Sequence, residues 1–187
     1  LTSLLASFRD LCLFRRGPED IPYAPRLLIA LLVVCAAMQI AFNLYTGVKP
    51  GVAAGIVIGS LADLGMVWVL LRGREKPERF VQTATALAAV YLVFELAQNL
   101  LTLRLPIEQW RQQLMATPRH LPELTGSQEL MALAVVVLGI WQLCIWISCL
   151  RRSLDISIAG SVLMFLLLVF VYMIVAALAA GVLLGGA

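Results

Sequence analysis

Histidine is almost missing from this chain: His120 is the only one in 187 residues. A haem held by two histidines of one chain is therefore excluded, and a single histidine in a polar loop reads as a solvated side chain. Cysteine is scarce as well. Cys12, Cys35, Cys144 and Cys149 match none of the paired Cys or Cys/His spacings that hold zinc, and none falls where an oxidised framework would be useful. No Gly-rich phosphate loop, nucleophile elbow or His–Glu zinc helix occurs. Ser60, Ser148 and Ser161 have no histidine base in the apolar runs that carry them, which removes a serine-triad intramembrane protease. Asp63 is the single Asp within such a run, so an aspartyl protease would lack its second acid. No internal repeat supports an inverted-repeat transporter. No catalysis, no metal and no cofactor is expected.

Charge is also low, at 13% of residues, against 61% hydrophobic and a mean hydropathy of +0.94. A soluble domain carries about a quarter charged residues, so the composition points to the bilayer. The apolar length comes in blocks near the roughly 20 residues that cross a hydrocarbon core. Five spans are predicted: Leu27–Tyr45, Gly51–Leu71, Phe80–Leu103, Leu130–Leu150 and Ile156–Leu184. The fold class expected is all-α, a polytopic membrane helical bundle with residues 26–187 as its transmembrane domain and an outer loop at 104–129. With the N-terminus inside, the inner segments hold Arg9, Arg15, Arg16, Arg26, Arg72, Arg74, Lys76, Arg79, Arg151 and Arg152, and the outer ones Lys49, Arg104, Arg111 and Arg119. Positive residues in short loops stay cytoplasmic, so the N-terminus is expected inside and the C-terminus outside. Lipid is one partner; nucleic acid is not, because no basic surface with interleaved aromatics exists.

Residues 1–25 precede the first span. The sequence opens on Leu1 rather than Met, so an upstream start is expected. Arg9 and Asp10 interrupt the apolar stretch and argue against a signal peptide. Leu1, Leu4, Leu5, Phe8, Leu11 and Cys12 follow helical spacing, which predicts an amphipathic helix in the membrane interface with Phe8 dipping inward. A cap packed on the floor of the bundle is the alternative. A Pro-rich linker follows. In the outer loop, Ile107, Trp110 and Leu114 share a helical face with Trp110 at headgroup level, and Ser127 is the expected N-cap of the fourth span.

Gly51, Gly55 and Gly59 recur every fourth residue, and the same stripe continues to Asp63. Residues four apart share a helix face, so this span presents a bare groove suited to close helix packing. The expected occupant is another membrane subunit or a second copy of the chain. Asp63 and Glu95 are the two acids within spans, at depths that differ by about two turns when each residue rises ~1.5 Å. Gln142 falls near the depth of Asp63 and is its expected hydrogen-bond partner; Gln39 falls near that of Glu95. Asn43 and Asn99 lie one turn beyond Gln39 and Glu95. Interhelical hydrogen bonding is one reading of these groups, and a proton or ion path through Asp63 and Glu95 is the other.

The segment FRRGPEDIPYAP, Phe14 to Pro25, together with five closely spaced spans, resembles small bacterial membrane proteins of the Yip type. Such proteins open with an Arg-Arg-Gly-Pro-Glu/Gln-Asp-hydrophobic-Pro stretch, carried here by Arg15, Arg16, Gly17, Pro18, Glu19, Asp20, Ile21 and Pro22. Eukaryotic relatives are linked to Rab GTPases and vesicle membranes, and the bacterial ones have no settled activity. The resemblance implies a non-catalytic integral membrane protein. The function expected is an accessory or scaffold subunit, with a transporter or proton-conducting subunit as the alternative.

Overall fold

The computed structural model describes residues 2–106 and 125–185. Among them all regular structure is helical. A short helix α1 (Thr2–Cys12) precedes α2 (Pro25–Tyr45), α3 (Pro50–Gly73), α4 (Phe80–Thr102), α5 (Gly126–Leu154) and α6 (Ile158–Gly185), with single 3-10 turns at Pro18–Asp20 and Pro77–Arg79. The last five helices are each long and apolar enough to cross a membrane, so the protein is a multi-pass membrane helical bundle, as the hydropathy blocks predict.

Local chemistry sets the boundaries. Pro25 and Pro50 open α2 and α3, where the missing N–H has no partner to lose and φ is already helical. Gly47, at φ +76°, reverses the chain between them, a conformation that L side chains resist. Glu75 and Asp155 take positive φ at the ends of α3 and α5, and the backbone N–H groups of Lys76 and Ile156 then return to the carbonyls of Leu71 and Arg151 at 2.9 and 3.2 Å. These returns satisfy carbonyls that the helix end would orphan. α5 runs a turn beyond its predicted span at both ends. Its N-cap is Thr125 rather than Ser127: the Thr125 carbonyl accepts from Glu129 at 3.0 Å, and Gln128 reaches back to the Thr125 N–H at 3.1 Å. That is the side-chain half of a capping box, which Ser127 cannot form from inside the helix.

The described residues form two compact units, Leu1–Leu92 with Cys144–Ala187, and Val93–Leu143. The first is organised around the leading half of α4, where all eight residues from Thr83 to Val90 are buried. A helix buried on every side needs small residues so that neighbours can close in, and Ala84, Ala86, Ala88 and Ala89 supply them. On α1, Ser7 and Leu11 are buried and Phe8 is half-buried, which fits a cap packed on protein better than a helix free in the interface. Trp110 and the rest of the predicted outer-loop helix lie outside the described residues.

α6 lies along the glycine face of α3. A methyl group on Gly55 would come 2.7 Å from the Ala176 carbonyl oxygen and 2.9 Å from the Ala180 nitrogen, and one on Gly59 would meet the Ala176 Cβ at 2.9 Å. At Gly51 the nearest atom is a Leu184 methyl at 3.2 Å. The obstacle at Gly55 is backbone, which cannot swing aside. Gly55→Ala is expected to lower stability by about 1–3 kcal/mol, the usual cost of overpacking. Gly65→Ala, where the added methyl meets nothing within 4 Å, is expected to be neutral or slightly stabilising. Thermal unfolding of both variants in mild detergent measures the difference.

Candidate functional site

The groove expected to receive a partner is filled by the chain's own α6, so Gly51, Gly55 and Gly59 are an internal packing face. This corrects the docking role that spacing alone suggested. The physical reason is that a small-residue stripe specifies close approach and leaves the identity of the approaching helix open.

The polar groups of the spans divide into linked and unlinked ones. Gln39 is buried, and its side-chain amide donates to Ser60 Oγ at 3.1 Å and to Tyr91 OH at 2.7 Å. Both amide hydrogens are thus used, and α2, α3 and α4 are tied at one point. Ser60 in turn donates to the Ile56 carbonyl at 3.1 Å, and Asn43 donates back to the Gln39 carbonyl at 2.8 Å. In the second unit, Gln142 accepts from Gln98 at 3.1 Å. Gln142 is thus engaged with α4 through its side-chain oxygen. Asp63 keeps one carboxylate oxygen buried with no hydrogen-bond partner among the described residues. It lies ~15 Å from the end of α3 at Gly73, near the middle of the helix. Asn99 Nδ2 and Trp146 Nε1 are likewise buried and unpartnered. Glu95 falls in the second unit, half-buried on α4.

The basic end of the bundle carries a clamp that spacing did not reveal. Arg79 donates through one Nη1 to the carbonyls of Arg152 and Ser153 at 3.3 and 3.4 Å and contacts Asp155 Oδ2 at 3.2 Å. Lys76 forms an ion pair with the same carboxylate. Thr83 donates to the Arg79 carbonyl at 2.8 Å, so at its 2.8 Å contact with Ser153 the Ser153 hydroxyl donates. The Arg-Arg-Gly-Pro-Glu-Asp-Ile segment is held to this floor. Pro18 and Ile21 are buried, Gln82 donates to the Ile21 carbonyl at 2.7 Å, and Arg152 lies 3.6 Å from Glu19 and 3.4 Å from the Phe14 carbonyl. Arg16 closes the turn onto Ser7 at 3.1 Å and Asp10 at 3.5 Å. Much of the motif that carries the family resemblance is thus used internally. Arg79 is the residue a sequence reader could have found, since it precedes a span yet stands a helical turn from a buried Thr.

Chemically, the site is a holding device. Among the described residues no group of His, Cys, Asp and Glu is arranged to hold a metal ion. Cys12 is half-buried, and burial pushes its thiol above the ordinary 9.0, which disfavours the reactive thiolate. The hydrogen bond from Lys76, reinforced by the Lys76 and Arg79 charges, holds the Asp155 carboxyl below its ordinary 3.8.

A depressed folded-state value contributes stability above the unfolded value, and that contribution is lost as pH falls through the folded one. Asp155→Asn is therefore expected to lower the unfolding temperature at pH 7. The gap from the parent protein should narrow below the ordinary 3.8 and close as the carboxyl protonates. A gap independent of pH, read from melts across that range, would contradict the ion-pair account.

Comparison with protein-family models, with curated proteins and with solved structures finds no match to this chain.

Proposed function

We propose that the protein is a non-catalytic, Yip-like membrane protein that serves as an accessory or scaffold subunit, binding other membrane proteins or a second copy of itself by close helix packing. Its setting is the bacterial inner membrane. The Lys and Arg excess at the end formed by the α3–α4 and α5–α6 turns makes that end cytoplasmic, with the C-terminus of α6 outside.

The observation that supports a partner is the free face of α5. Ala132, Val136, Gly139 and Leu143 share one side of the helix, Val136 and Leu143 are exposed, and a methyl group on Gly139 would meet nothing within 4 Å. A small residue flanked by apolar ones at helical spacing suits close approach by another helix. Unlike Gly55 and Gly59 of the α3 stripe, Gly139 has no atom of the described residues within 4 Å of an added methyl group. Gly139→Leu is expected to strip the partner, or split the homo-oligomer, in native purification from mild detergent while leaving the melting temperature of the chain unchanged. A parent protein that purifies alone and monomeric, or an assembly indifferent to Gly139→Leu, counts against the proposal.

The unpartnered Asp63 oxygen favours a second reading, a subunit that passes protons. A carboxyl near mid-membrane that keeps one buried oxygen unpartnered among the described residues is costly, and such acids are commonly functional. In that case proteoliposomes show a proton flux that Asp63→Asn abolishes without loss of assembly. Full flux in the variant removes Asp63 from any pathway.

A further inference from the structure

Ile58, Leu61, Gly65, Trp68 and Arg72 follow one another at three- and four-residue steps on α3, so they line a single face. All five are exposed, whereas Gly55 and Gly59, which pack against α6, are buried. This face changes character along its length. Ile58 and Leu61 are apolar, Gly65 leaves a notch with no atom near its missing side chain, and Trp68 and Arg72 close the basic end. The Arg72 guanidinium carbon lies 5.1 Å from the Trp68 ring centroid, within the ~6 Å reach of a cation–π contact. The Arg72 side chain makes no hydrogen bond or ion pair among the described residues, so its N–H donors are open to a phosphate, which a guanidinium can bind bidentately. Trp68 is ~7.5 Å from the end of α3, the depth at which indole meets headgroups.

The charge of Arg72 is also unspent. Arg9, Arg16, Lys76, Arg79 and Arg152 all pair with carboxylates of the same basic end. Arg72 pairs with none among the described residues. The nearest acids in sequence, Glu75 and Glu78, lie on the turn past the helix end.

We propose that the exposed face of α3 from Ile58 to Arg72 binds one anionic phospholipid, with its phosphate on Arg72, its glycerol region beside Trp68 and an acyl chain crossing the Gly65 notch toward Leu61 and Ile58. The occupant is a lipid because apolar surface and unpaired cation form one continuous strip. It is anionic because a zwitterionic headgroup brings its own cation to the phosphate.

Native mass spectrometry of the full chain, with phosphatidylglycerol or phosphatidylcholine of matched acyl chains, tests this directly. The parent protein should retain phosphatidylglycerol preferentially, and excess inorganic phosphate should not displace it. Arg72→Gln should weaken retention about fivefold, the effect of one basic residue near the surface. Trp68→Leu should weaken it in the same direction by releasing the guanidinium. Arg15→Gln removes an equal charge from the N-terminal segment and should change retention less than about twofold. Equal retention of the two lipids, displacement by phosphate, or equal effects of the Arg15 and Arg72 variants would overturn the proposal. Size-exclusion profiles confirm that each variant remains folded.

Discussion

The rest of the first unit depends on burying one stretch of helix from all sides. From Thr83 to Val90, α4 has no exposed face, and that is possible only because its composition is small and self-satisfying. Alanines keep the helix thin, and the hydroxyls of Thr83 and Thr85 return to carbonyls four residues back at 2.8 and 2.6 Å. A lipid-exposed or protein-buried hydroxyl without such a return would carry a desolvation cost that no water relieves. Around this rod the neighbours attach through few but well-placed contacts: Cys35 to the Ala88 carbonyl, Gln39 to Tyr91, and Ser153 to Thr83.

Two different adhesives join the helices, and they segregate by depth. Within the apolar region contact is made by removing side chains, as at Gly55 and Gly59, and by isolated hydrogen bonds such as those from Gln39. Each bond of this kind contributes only on the order of 0.6 kcal/mol, so geometry rather than bond strength dominates there. At the basic end the paired side chains stay partly exposed, so charges can pair without full desolvation. Asp155 there binds both Lys76 and Arg79, linking the turn after α3 to the turn after α5. Being partly exposed, such pairs fix alignment more than they add stability.

The same segregation separates used from unused chemistry. The glycine face, much of the Arg-Arg-Gly-Pro segment and the side chains of Arg9, Arg16, Lys76, Arg79 and Arg152 are committed to the chain's own structure. Among the described residues, Arg72, the α5 face at Gly139 and the Asp63 oxygen are not. These three differ in what they could meet: a phosphate, a helix and a proton donor, respectively. A functional reading of a small membrane bundle therefore begins with the groups that folding has not consumed.

Sequence alone determined the helical class, the five spans, the charge asymmetry and the close-packing character of Gly51, Gly55 and Gly59. These follow from short-range rules: the length needed to cross hydrocarbon, the four-residue repeat of a helix face, and the bias of Lys and Arg. Only the tertiary structure decided which helix fills the glycine groove, that Gln142 answers Gln98, and that Gln39 joins Ser60 and Tyr91. The run Thr-Ala-Thr-Ala-Leu-Ala-Ala-Val from Thr83 to Val90 held a visible hint of a central helix in its small residues. Its hydropathy, however, is that of any span. In lipid every span is apolar on the side facing the tails and apolar on the side facing its neighbours. Hydrophobicity therefore finds the helices but cannot orient them, and the pairing of faces is left to packing geometry and a few polar contacts.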